Sequence, residues 1–136
     1  AVYGDLNYVS SADIKKTIRK WQTQDFNPDW FKYGWMPPHP TVFLKSNLYD
    51  RFGLFDESFK ISGDYEFMLR LFYKENVSAV HSGEVKLLMR AGGISNRSLK
   101  SIYNKIKEDV SIMRRYELNA FTCLLLKNLS KLRQFT

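Results

Sequence analysis

The sequence predicts an α/β chain, with strands and short helices first and two amphipathic helices at the end. Three observations carry this. Val2, Tyr3, Leu6, Tyr8 and Val9 cluster residue types that suit a pleated, half-buried strand. Tyr65, Met68, Leu69 and Phe72 repeat at i, i+3, i+4 and i+7, the period of a helix. Leu99, Ile102, Ile106, Val110 and Met113 keep that period, and so do Leu118, Phe121, Leu125, Leu129 and Leu132.

Composition bounds the answer. The 136 residues make one domain or a piece of one. Ten Phe, eight Tyr and three Trp exclude a disordered chain. Cys123 is the single cysteine, so neither an internal disulfide nor a cysteine-based zinc site can form. The net charge of +7 is uneven: residues 98–136 hold eight Lys/Arg against three Asp/Glu. Such a tail is either a solvated helix face or a surface for polyanions, nucleic acid or anionic lipid. Its longest apolar run, Cys123 to Leu126, is far below the roughly 20 residues that span a bilayer. The opening AVYGDLNYVS has no basic region followed by an apolar stretch and does not read as a signal peptide. A cytoplasmic protein is expected, peripheral on the inner face of the membrane if the tail engages lipid.

The elements follow in order. Residues 2–9 read as a strand broken at Gly4-Asp5, and Ile14 to Trp21 as a second strand, basic on one side. Asn27-Pro28-Asp29 is turn chemistry inside a loop-like stretch. MPPHP crowds three prolines around His39 and predicts a stiff extended segment. Thr41 to Leu44 follows as a short strand, and Asn47 to Phe52 as a short helix closed by Gly53. Residues 63–74 predict a mostly buried helix, widened by Phe67 and Leu71, with Ser62 or Gly63 as N-cap. Residues 77–90 read as two strands turning near Ser82-Gly83, then a glycine-containing loop.

Chemistry-bearing motifs are sparse. There is no zinc-like spacing, no Walker loop and no GxSxG elbow. His39 is expected exposed or lining a cleft, and His81 structural. The sharpest group is Phe55-Asp56-Glu57 followed by Ser62-Gly63-Asp64-Tyr65-Glu66. A carboxylate in the first turn of a buried helix is rigidly mounted, and the helix N-terminus favours its ionised form. Asp64 can therefore be a general base or an ordinary first-turn cap. Glu66 reads as capping material, and Arg70 as a structural ion-pair partner.

The stretch from Trp35 to Leu71 resembles the second half of family-2 glycosyltransferases, which have the GT-A fold. Those enzymes show G-x-F-D-E-x-F, here Gly53 to Phe59, and then D-Y-x-x-x-x-R-L opening a helix, here Asp64 to Leu71. Tyr3-Gly4-Asp5 and the Gly92 to Ser95 loop match further pieces, so the resemblance covers roughly residues 1–97. The family's nucleotide-binding first half and its Asp-x-Asp metal motif are not in this sequence; the nearest acidic pairs, Asp25/Asp29 and Asp50/Asp56, have the wrong spacing.

The resemblance therefore implies the C-terminal part of a GT-A, Rossmann-like transferase of polysaccharide biosynthesis: an acceptor-side half over residues 1–97, then a basic helical tail over 98–136. It implies inverting transfer from a nucleotide-sugar donor to a glycan or lipid-linked acceptor, with Asp64 as catalytic base. Trp35 and His39 would face the acceptor, Trp35 alternatively being a core tryptophan. Arg90, Gly92, Gly93 and Ser95 would fold over the donor diphosphate, or form a plain exit loop. A divalent ion, Mg or Mn, would be held by the other half, and none by this one. Alone, the chain should be inactive and tend to self-associate through exposed strand edges. The competing reading is a non-catalytic basic module for anionic lipid or nucleic acid. It lacks any recognisable nucleic-acid motif, so a nucleic-acid partner is not expected.

Overall fold

The computed structural model describes residues 1–91, 98–132 and 134, with only the backbone at residues 84–86. Three strands, β1 (Val2–Val9), β2 (Thr17–Trp21) and β3 (Val80–Arg90), form a mixed sheet in the order β2-β1-β3. β2 runs antiparallel to β1, with Leu6 opposite Trp21 and Tyr8 opposite Arg19. The predicted Thr41–Leu44 strand reduces to one antiparallel bridge, Val2 to Phe43, closed by backbone hydrogen bonds of 3.0 and 2.8 Å. Farther along β1, β2 takes over the pairing.

The predicted hairpin at Ser82-Gly83 does not form. β3 is one long strand, parallel to β1 on both sides of that dipeptide. A hairpin would have reversed the chain and made the second run antiparallel to the first. Instead the register slips: Tyr3 pairs with His81 and Asp5 with residue 86, so two residues of β1 face five of β3. The excess is absorbed as a bulge.

Helix α1 spans Asn47–Phe52 and stops at Gly53, whose φ of 82° only glycine adopts cheaply. Helix α2, Gly63–Met68, continues as π-helical turns through Leu69–Lys74. Tyr65, Phe67, Met68, Leu69, Leu71 and Phe72 are all buried. Each contributes about 1.5–3 kcal/mol by leaving water. Residues Pro28–Tyr33 form a 3-10 helix; Asn27 accepts the Asp29 N–H through its side chain, as turn chemistry predicts. The proline segment departs from expectation at its end, where His39–Thr41 close a 3-10 turn. Pro40 sits in the first turn, where its missing N–H costs nothing. The buried Thr41 hydroxyl accepts the Gly4 N–H at 3.1 Å, tying the turn to β1.

Helices α3 (Leu99–Arg115) and α4 (Ala120–Leu132) form where the periodicity places them, but not all of their apolar stripes face the core. Leu99, Ile102, Ile106, Phe121, Leu125, Leu129 and Leu132 are exposed. Ile112, Met113, Leu118 and Cys123 join the buried cluster of Tyr3, Phe31, Tyr65 and Phe72. An ionic network draws the other helix faces inward. Asp109 receives Lys105 and Lys127, each at 2.9 Å, and the Ser62 hydroxyl at 2.7 Å. The Lys127 ammonium also lies 3.8 Å from the Tyr65 ring centroid. Among the described residues no helix is long and apolar enough to cross a membrane.

Candidate functional site

The start of α2 is built by three separate segments. Glu108 of α3 accepts the backbone N–H groups of Lys60, Ile61 and Ser62 at 3.1, 2.9 and 2.8 Å. A carboxylate thus fills the ring of donors ahead of the helix, while the Ser62 hydroxyl turns to Asp109 instead of capping. Asp64 follows in the first turn. Its Oδ1 accepts the Tyr65 N–H at 2.8 Å, and its side chain is 42% exposed. Its Oδ2 lies 4.0 Å from Nδ1 of His39, which the proline segment delivers from 25 residues upstream. A half-exposed carboxylate beside an imidazole can accept a proton from a bound hydroxyl, and the imidazole can orient either partner.

The neighbouring motif supports this pair. The Phe55 ring packs edge-on to His39 at 5.9 Å and against Phe67 at 4.4 Å. Arg70 pins the segment before Phe55 by donating to the Phe52 and Leu54 carbonyls, both at 2.7 Å, and pairs with Glu66 at 3.0 Å. Arg70 is therefore the structural ion-pair partner expected of it. Glu66 is not a cap: it is 2% exposed and also accepts the Tyr116 hydroxyl at 2.6 Å. Burial first, and then that bond to Glu66, push the Tyr116 phenol well above its ordinary range. Asp56 binds the Ser58 N–H and hydroxyl and pairs with Arg115 at 2.8 Å. The bond to Arg115, with those to Ser58, holds its carboxyl far below the usual range.

Trp35 is half-buried, edge-on to Tyr3, Phe31 and Trp30 at 6.2, 5.8 and 5.5 Å, so it braces the core while lining a cavity beside β2. Arg90 is exposed at the end of β3. Gly92, Gly93 and Ser95 lie outside the described residues. His81 pairs with Asp5 at 3.2 Å and packs on Tyr3 at 5.5 Å, a sheet-end contact. Among the described residues no three His, Cys, Asp or Glu converge as metal ligands. His39–Asp64 and His81–Asp5 are pairs only, and these residues do not fit a resident divalent ion.

Sequence reasoning missed Glu108 and Asp109, adjacent acids that hold the front of α2 from α3. Their position in an amphipathic helix reads as an exposed face, and only the fold turns them inward. In comparisons, no family model, no curated protein and no solved structure matches the chain.

Proposed function

We propose that this chain is the acceptor-side half of an inverting, family-2-type glycosyltransferase of GT-A architecture, taking its donor from a nucleotide sugar. The observation that carries the reading is the Asp64–His39 pair at the mouth of α2. Two neighbouring features support it: the Phe55 ring behind the imidazole and Arg70 pinning the Phe55 segment. In this reading an acceptor hydroxyl oxygen attacks the anomeric carbon of the donor sugar. Asp64 takes the hydroxyl proton as the new C–O bond forms, the bond to the nucleoside diphosphate breaks with its electron pair, and configuration inverts. His39 holds the carboxylate or the acceptor in line.

The test is Asp64→Asn in the enzyme carrying its donor-binding half, assayed for transfer from labelled nucleotide sugars. Asn keeps the shape and accepts the Tyr65 N–H, but takes no proton. Transfer should fall about 10²–10⁴-fold, with melting temperature and donor affinity nearly unchanged. The exposed Glu57→Gln is the control. Glu66→Gln is unsuitable, because it breaks a buried pair. Transfer near the wild-type rate makes Asp64 a cap and no more.

A second reading, peripheral attachment to an anionic membrane, is favoured by the exposed stripe Phe121, Leu125, Leu129 and Leu132. It is compatible with the first, for an enzyme working at the cytoplasmic face on a lipid-linked acceptor.

A further inference from the structure

Helix α3 sorts its charges. Its only two acids turn toward the body. Glu108 accepts the backbone N–H groups of Lys60, Ile61 and Ser62, and Asp109 is buried against Lys105, Lys127 and the Ser62 hydroxyl. Of its five basic residues, Lys105 pairs with Asp109 and Arg115 with Asp56. The other three, Lys100, Lys107 and Arg114, are exposed. They recur every seven residues, about two turns, and so form one line along the helix. Among the described residues no carboxylate lies within ion-pair distance of these three.

Apolar surface runs beside that line. Leu99, Tyr103, Ile106 and Val110 follow one another at helical spacing, with Ile102 at the margin. Leu99, Ile102, Tyr103 and Ile106 are exposed, and Val110 is half-buried. The helix needs no partner to form. Ser98 caps it by accepting the Ser101 N–H at 3.1 Å, and Ile112 and Met113 anchor its inward side in the core. A preformed helix with an apolar stripe, a row of cations along it and no acid of its own on that side has the composition of one lying in the headgroup layer of a bilayer. Its charge is complementary to anionic headgroups, and Tyr103 combines an apolar ring with a polar tip suited to that depth. A second copy of the chain would bring the same cations to this face and no acid to meet them.

We propose that the outward face of α3 docks on an anionic lipid surface. Tyr103, Ile106 and Leu99 enter the headgroup layer, and Lys100, Lys107 and Arg114 meet the lipid phosphates. The inference deepens the membrane reading and rests on it for the kind of partner, but it places a contact on a different helix. Lys127 of α4 points inward to Asp109, so α3 supplies the charge that the leucine stripe of α4 lacks. Nothing in it depends on the sugar-transfer reading.

Flotation of the whole chain with phosphatidylcholine vesicles carrying phosphatidylglycerol tests it. Each Lys or Arg near such a surface strengthens binding about fivefold, so Lys100→Gln/Lys107→Gln/Arg114→Gln should bind about a hundredfold more weakly than the parent. All three side chains are exposed, so the variant should fold as the parent does. Lys15→Gln/Lys16→Gln/Lys74→Gln removes the same number of exposed charges elsewhere and should float as the parent does. Tyr103→Ser/Ile106→Ser should also weaken flotation, and added salt should weaken it in the parent more than in the α3 charge variant. Loss in the α3 variants while Leu125→Ser/Leu129→Ser floats as the parent does puts the contact on α3 alone, so the two helices fail separately. Equal flotation of the α3 charge variant and the parent overturns the proposal. So does a chain that ignores both vesicle types but binds a DNA duplex through the same three cations.

Discussion

Single residues here carry charge where burial opposes it, and Lys131 shows the conflict most clearly. Its pKa is lowered to about 8, with burial the main cause and Lys127 and Lys105 adding to it. A base with a depressed folded pKa favours the native state fully only above its unfolded value, near 10.5, and loses that contribution as pH falls through about 8. Lys131→Gln should therefore be more stable than the parent at pH 7. The gap should shrink as pH rises from about 8 to 10.5. Chemical denaturation of both proteins across that range checks this, and a gap independent of pH contradicts it. Comparing the two removes the other titrating groups, among them the Cys123 thiol, which burial pushes up, and the Ala1 amine, which burial lowers. Lys127 shows the same tension: burial lowers its pKa, and Asp109 at 2.9 Å offsets part of that.

Among the elements, the 3-10 helix at Pro28–Tyr33 and α4 approach closely. Gly34 closes the former at φ 75°, and a Cβ there would run into the Cys123 carbonyl and crowd Lys127. Gly34→Ala combines left-handed strain with a backbone clash and should cost about 3 kcal/mol or more. Urea unfolding measures it, and a cost under about 1 kcal/mol would show that α4 sits farther away. Elements whose local pattern agrees with their burial were legible in the sequence. The helix at 63–74 buries the four apolar residues that its period singles out and the two, Phe67 and Leu71, that widen their face. Two others were not. Ser82-Gly83 imitates a hairpin turn, but whether a strand runs parallel or antiparallel depends on its partner, 78 residues away at Tyr3. The leucine stripe of α4 leaves open whether that face packs inward or meets a surface, and the buried Lys127–Asp109 pair turns the other face to the core. The candidate site was legible as Asp64 at a helix start; its closeness to His39 was not, because the 3-10 turn at His39–Thr41 creates it.

At the scale of the whole molecule, two of the open apolar surfaces matter most. Consecutive residues Leu87 and Leu88 of β3 point to opposite faces of the sheet, and both are exposed. Parallel strands are ordinarily covered on both faces. The stripe on α4 is the second. Its helix sends Lys127 inward and half-buries Lys131, so lipid contact through this face would rest on the leucines more than on charge. The double variant Leu125→Ser/Leu129→Ser separates the two surfaces. It should lose flotation with anionic vesicles, while self-association seen in sedimentation persists through the sheet. Flotation equal to the parent's rules out α4 as a membrane contact.

Cys123 gives this architecture an internal clock. Its sulfur is fully buried where α4 meets the 3-10 helix, and it donates to the Lys32 carbonyl at 3.0 Å. With no other thiol in the chain, a disulfide reagent can react only after α4 lifts, so the labelling rate reads the free energy of that one opening. The protein thus carries, in one sulfur atom, a report of how often α4 leaves the 3-10 helix.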